Sequence, residues 1–195
     1  MTTAGGALTP VSYDSPAACE LTRALHAEQV GLYGRADDPG AARPPDFTPP
    51  QGAFLVVTGP DGTALACGGW RTAAQATAEI KRMYVTPAAR GRGLGRQILA
   101  ALEGDARRRG MTQVILETGV ANAAALALYT SRGYTPIASY VAHRDPHINR
   151  ALRKSLVADP AGKAGRSTRS PPSAAAGWCG RSVQARPGLS TSRCQ

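Results

Sequence analysis

Polar and apolar positions alternate at two different periods over the first 157 residues, and the changes of period divide the chain into elements. Residues 8–13 read as a short strand. Asp14-Ser15-Pro16 reads as a helix start, a capping side chain followed by a proline that needs no N–H in the first turn. Leu21, Leu25, Glu28 and Leu32 then recur every three or four residues, so the helix runs to about Tyr33 and Gly34 ends it. Residues 35–52 have no period. They read as a loop, either a plain surface connection or a lid on the substrate side of a site. The apolar run 53–58, the turn Pro60-Asp61-Gly62 and the run 64–72 make a hairpin. Gly68 and Gly69 inside its second strand predict a bulge, or a close approach by another group.

Residues 77–85 form the next strand, stopped by Pro87. A helix over 93–109 buries Ile98, Leu99, Leu102 and Ala106 and turns Arg96, Glu103, Arg107 and Arg108 outward. Gly104 in its interior costs about 1 kcal/mol relative to Ala. Residues 112–118 form a strand. Asn122 caps a short helix over 123–132, Gly133 ends it, and 134–141 and 149–156 are the last two strands. The order of elements is mixed α/β, with a parallel step wherever a helix intervenes. After Val157 the pattern stops. Residues 158–195 are Ala, Gly, Ser, Pro, Thr and Arg, and read as a low-complexity basic tail without fixed structure, outside a single domain at 1–157.

Composition narrows this picture. The chain has 195 residues, 43% of them hydrophobic, enough for one domain with a real core. Its formal net charge of +10 divides evenly between the domain and the tail. The folded part is therefore only modestly basic, which suits anionic ligands without demanding nucleic acid. Cys19, Cys67, Cys179 and Cys194 show no metal-ligand or disulfide spacing, and His26, His143 and His147 show none either. No metal is expected. No signal peptide or membrane-length apolar run is evident, so the expectation is a soluble cytoplasmic protein.

The chemistry concentrates in residues 79–96, a strand, a proline turn and a glycine-rich loop opening a helix. Gly91, Gly93 and Gly95 let the backbone approach a ligand, and the helix places its positive dipole end behind them. Arg90, Arg92 and Arg96 add charge. Together they make a site for an anion, most naturally a pyrophosphate. A dinucleotide fingerprint fails because Arg96 stands where the third glycine would fall, although Glu117 mimics its ribose-binding acid. A Walker loop fails for want of Gly-Lys-Ser/Thr.

Arg90-Gly91-Arg92-Gly93-Leu94-Gly95 resembles the acetyl-CoA loop of the GNAT superfamily of N-acetyltransferases. Met83-Tyr84-Val85-Thr86-Pro87 is similar to that family's strand and its Val-x-Pro ending. Asn122, Ala125, Leu128 and Tyr129, with Gly133-Tyr134, are similar to its Asn-to-Tyr helix and the residues after it. The likeness is strong over 79–135, extends in element order over 8–157, and leaves the tail out. It implies a GNAT-like mixed sheet, mostly antiparallel with a parallel step and flanking helices. It implies acetyl-CoA as co-substrate, its pyrophosphate on the loop amides of 90–96 and its pantetheine along Met83, Tyr84 and Val85. Asn122 would meet the pantetheine region, and a backbone N–H near Val85 would polarise the thioester.

The acceptor implied is a primary amine of unknown identity. Such an amine is mostly protonated at neutral pH and needs a base, for which Glu79 is the candidate. The departing thiolate needs a proton, for which Tyr129 is the candidate. The expected route is direct transfer in a ternary complex. The competing readings are a GNAT-fold acyl-CoA binder without turnover and a basic nucleic-acid-binding protein. A homodimer pairing through the final strands is a further expectation.

Overall fold

The structure, a computed structural model, describes residues 6–142 and 144–157; the expected tail at 158–195 lies outside them. The elements are β1 (Ala7–Val11), α1 (Pro16–Tyr33), β2 (Gly52–Thr58), β3 (Ala64–Ala74), β4 (Thr77–Val85), α2 (Leu94–Arg108), β5 (Gln113–Gly119), α3 (Ala123–Ser131), β6 (Thr135–Ile137) and β7 (Asn149–Ser155). They build one seven-stranded sheet in the order β1-β2-β3-β4-β5-β7-β6. Every adjacent pair is antiparallel except β4 and β5.

The helix ends follow from local chemistry. The Ser15 side chain accepts from the Ala18 N–H, and Gly34 takes the left-handed conformation (φ 72°) while its N–H reaches Val30 O. Two packed clusters lie on opposite faces of the sheet. On one face Ile98, Leu99 and Leu102 of α2 meet Trp70, Val114 and Leu116. On the other, Leu21 and Leu25 of α1 meet Phe47, Phe54, Val56 and Tyr84.

Gly68 and Gly69 meet both expectations made of them. The β3–β4 register shifts between Cys67 and Gly69, opposite Arg82, whose φ is 58°. A Cβ on Gly68 would stand 2.6 Å from Met83 Sδ, and one on Gly69 would stand 2.6 Å from Phe54. Gly68 thus makes room for Met83 and for Ile98 and Leu102 of α2, and Gly69 for Phe54 and Phe47 on the other face.

Four expectations are corrected. The helix α1 does not produce a parallel step, because the 35–51 connection carries the chain back to the end of the sheet where β1 finished, and Val11 faces Phe54. Its buried residues are Ala18, Leu21, Thr22 and Leu25, whereas Leu32 is 51% exposed, since the last turn of α1 sets Tyr33, not Leu32, against Gly119 of β5. Glu103 is buried rather than outward, its charge met by Lys154 Nζ at 2.6 Å. The strand expected over 134–141 is only three residues long. Beyond it the chain leaves β7, and Ser139 and Tyr140 bond instead to Glu117 and Glu79.

β4 and β5 pair only from Thr77–Gln113 to Ile80–Leu116. Both strands continue, to Val85 and Gly119, without pairing to each other. The sheet therefore opens at this point into a V.

Candidate active site

The V holds a cleft of about 1090 Å³. Of the site residues read from the sequence, only Arg92 and Glu79 are absent from its walls.

At one end lies the glycine loop. Gly91 and Gly93 have φ of 77° and 79°, and nothing stands within 4 Å of where a Cβ would be on either. Gly93 is the N-cap of α2 and offers no side-chain cap. The Gln97 N–H bonds back to Gly93 O at 3.0 Å, and the first-turn N–H groups of residues 94–96 precede that ladder and are left for a ligand. Leu94 contributes only its backbone here, because its side chain is 2% exposed in the core. A Cβ at Gly95 would stand 3.5 Å from Leu128 and 3.7 Å from Val85, so the first turn of α2 is set against both α3 and β4.

The three arginines divide. Arg96 lines the cleft, Arg92 is exposed outside it, and Arg90 is engaged in a tie. Arg90 Nη2 lies 2.5 Å from Glu28 Oε2 of α1, and its Nε donates to Val85 O at 3.2 Å.

The β4 wall carries the bulge at Arg82. Past Ile80 this strand has a partner only on its β3 side, so its other edge presents N–H and C=O groups to the cleft. Met83, Tyr84 and Val85 lie on that stretch. The Cys67 thiol donates to Arg82 O at 3.3 Å and is pushed up to about 12 by burial, so it is no thiolate nucleophile at neutral pH. From the opposite wall, Asn122 Oδ1 caps α3 by accepting from the Ala125 N–H at 3.0 Å. Tyr129 is 5% exposed, tilted against Tyr134 at 5.5 Å between ring centroids, and burial pushes its phenol up. It carries its proton at neutral pH.

Glu79 sits behind the wall, 3% exposed. Its Oε2 accepts from Arg71 Nε and Nη2 at 2.8 Å, its Oε1 accepts from the Tyr140 hydroxyl at 3.1 Å, and Lys81 Nζ is 3.4 Å away. Glu117 stands inside. It is the first residue of β5 after the last pairing with β4, at the vertex of the V, with its side chain 8% exposed. Its Oε1 accepts from Ser139 Oγ at 2.7 Å, and its Oε2 lies 3.4 Å from Arg144 Nε. The sequence offered Glu117 only as a mimic of a ribose-binding acid. The usable signal was its place at the end of an apolar strand that follows the α2 crossover.

The loop 35–52 is pinned at the end of the cleft away from the glycines. Arg82 donates to Asp37 O at 3.1 Å and to Asp38 O at 3.0 Å, and the Tyr13 hydroxyl donates to Pro39 O at 2.9 Å. Phe47 is 3% exposed in the core, which makes this segment a packed connection. Arg144 Nη2 reaches across to Asp37 Oδ2 at 2.5 Å. Nothing in the sequence marked Arg144, which lies far from every motif. Among the described residues no three of His, Cys, Asp or Glu gather as a metal site, and no helix is long and apolar enough to cross a membrane.

The family model for the acetyltransferase (GNAT) family matches residues 21–134. An IAA acetyltransferase from Azospirillum brasilense is 40% identical over 86 residues, which are 44% of this chain and 56% of that protein. The chain thus spans about half the length of that relative. Among solved structures, a protein from Klebsiella pneumoniae subsp. pneumoniae called an acyl-CoA N-acyltransferase matches with a TM-score of 0.66 and 30% identity, covering 77% of this chain and 97% of that one. An acetyltransferase from Salmonella typhimurium, solved with acetyl-CoA, matches with a TM-score of 0.58 at 22% identity, covering 82% of this chain and all of that one.

Proposed function

The chain belongs to the GNAT family of acetyltransferases, and from that premise we propose that it transfers the acetyl group of acetyl-CoA to a primary amine by direct attack in a ternary complex. The observation that carries this reading is the V between β4 and β5. It joins an uncapped helix N-terminus, an unpaired strand edge, a buried carboxylate and a buried phenol in one cleft. That combination fits a long molecule with a pyrophosphate at one end and an acyl group at the other. The Salmonella relative solved with acetyl-CoA shares this fold, which supports the choice of co-substrate.

When bound, acetyl-CoA supplies an activated acetyl carbonyl and a thiolate leaving group. The open amides of residues 94–96, with Arg96 beside them, hold the pyrophosphate against the positive end of α2. The free edge of β4 at Met83, Tyr84 and Val85 pairs with the pantetheine amides as an added strand would, and a backbone N–H near Val85 polarises the carbonyl. Asn122, already committed as a cap, borders that arm.

The acceptor ammonium, with a pKa near ~10, must lose a proton before it attacks. Both oxygens of Glu79 are engaged and it lies outside the cleft. Glu117 lies inside, and in this reading Glu117 relays the first ammonium proton to solvent and then takes the second as the C–N bond forms, releasing it to solvent afterwards. Glu79 then serves as a positioning residue, holding Tyr140 and Lys81. As the C–S bond breaks, Tyr129 gives its proton to the sulfur and recovers it from solvent. Cys67 takes no part, and no covalent enzyme intermediate forms.

Calorimetric titration of acetyl-CoA, with NAD as control, followed by CoA release over a panel of amines, tests the proposal. Glu117→Gln should lower kcat by about 10²–10⁴-fold with acetyl-CoA affinity unchanged, while Glu79→Gln costs less. Equal losses at the two positions would return the base role to Glu79. Acetyl-CoA binding without turnover of any amine would leave an acyl-CoA binder.

A further inference from the structure

Acetyl transfer needs one base and one acid, yet the end of the cleft away from the glycines carries more charge than that. Arg144, in the segment between β6 and β7, has its side chain 27% exposed and lines the cleft. Its Nη2 is held by Asp37 at 2.5 Å. Its Nε lies 3.4 Å from Glu117 Oε2, but is buried and has no aligned hydrogen bond. The Nε and Nη2 groups form the edge of a guanidinium that takes a carboxylate through two parallel bonds. Here that edge is shared between two acids from different elements, and one of its donors is left without a bond. A buried donor in that state is costly, and a ligand oxygen would relieve it.

The Asp37 backbone and the Glu117 side chain are also held by groups other than Arg144. Asp37 is pinned through its own carbonyl by Arg82 and by the His26 ring, and Glu117 is held by Ser139. Burial pushes the Asp37 carboxyl up, but the Arg144 hydrogen bond and the charges of Arg144, Lys81 and Arg82 bring it below the ordinary carboxylate value. It is ionised at neutral pH. The result is one cation flanked by two anions, the complement of a group that carries one carboxylate beside one ammonium.

We infer that this end of the cleft seats the head group of a free α-amino acid, its carboxylate on the Arg144 guanidinium and its amine between Asp37 and Glu117. The inference rests on the transferase reading and names its acceptor. The amine is then placed at Glu117, where the proton must leave. A lysine side chain of a protein carries no carboxylate beside its amine. A polyamine would meet Lys81, Arg82 and Arg144 with nothing to offer them.

The test uses the full-length protein with saturating acetyl-CoA. CoA release is followed with L-amino acids, with their carboxamides, and with the matching amines that lack the carboxyl group. The carboxamide amine is the less basic and the more available as free base, so any advantage of the acid comes from recognition. At least one amino acid should exceed its carboxamide by about tenfold or more in kcat/KM. Arg144→Gln should lower kcat/KM for the acid by about 30-fold or more and for the carboxamide by less than about 3-fold, with Arg144→Lys between. Carboxamides or plain amines turned over as well as the acids would overturn the inference. So would an equal loss on both in Arg144→Gln, or acetylation of amines with no amino acid accepted. If the Gln variant does not fold, the wild-type ratio and the Lys variant decide. Failure of the wild type to bind acetyl-CoA would bring down the transferase reading instead.

Discussion

Trp70 is wholly buried, and its indole N–H donates to Asp105 Oδ2 at 2.9 Å. Burial pushes the Asp105 carboxyl up, but the bonds from Trp70, Arg109 and Arg108 outweigh it and hold the group below its ordinary value. A folded-state pKa below the unfolded one means a stabilisation that is present above the unfolded value, about 3.9, and lost as pH falls through the folded one. The melting temperature should therefore drop on acidification below pH about 4. Asp105→Asn should lose about 1–2 kcal/mol at pH 7 and flatten that acid slope. An unchanged slope in calorimetric melts would remove Asp105 from the linkage. Gly93 makes a different prediction. With φ at 79° and open space where a Cβ would stand, Gly93→Ala should cost about 1 kcal/mol from backbone strain alone. The added methyl would also face the ligand beside the open amides of α2. Acetyl-CoA affinity measured by calorimetry should fall about tenfold, a loss of about 1.4 kcal/mol in binding.

At the scale of elements, Arg90 joins three parts of the cleft, the C-terminal half of α1 through Glu28, the end of β4 through Val85 O, and the loop it belongs to. Its pair with Glu28 is half exposed and contributes at most about 1 kcal/mol. Arg90→Ala should accordingly leave the melting temperature nearly unchanged while weakening acetyl-CoA binding several-fold. A melting loss as large as that of a core substitution would show that the tie holds the fold. Local signals made these elements readable in advance. Ser15, Gly34, Asn122 and Gly133 mark helix ends through their own side chains or their lack of one, and the strand over 77–85 needed only its alternation and Pro87. The failures share a cause. Leu32 fits a helical stripe, but the last turns of α1 present Glu28, Gln29 and Tyr33 to the β4–β5 cleft instead. Glu103 reads as surface until Lys154, 51 residues away, supplies its counter-charge. Glu79 and Glu117 are both acids on central strands. Which of them faces the cleft depends on where the β4–β5 pairing stops, and no local pattern encodes that.

On the scale of the whole molecule, every residue lining the cleft among those described falls at or before Asn149. A chain ending at Val157 should then bind acetyl-CoA as tightly as the full-length protein, and unequal affinities in parallel titrations would give the remaining 38 residues a part in binding. The two arms of the sheet meet through the four paired positions between β4 and β5, and the Asp37–Arg144 contact spans the gap again at the far end. The glycine loop and its helix were legible because a short run of sequence contains them whole. The Asp37, Glu117 and Arg144 cluster was not, because it draws on three segments that only the finished sheet brings together.

The free edge of β4 has a further consequence. A bare row of backbone donors and acceptors ordinarily invites a neighbouring molecule to zip onto it, and proteins blunt such rows to stay out of fibrils. Here the row, from Lys81 to Val85, is recessed between two arms of the sheet. A polypeptide would have to enter between the two arms to pair with it. The recess proposed to hold a pantetheine arm thereby also shields this strand from pairing between molecules.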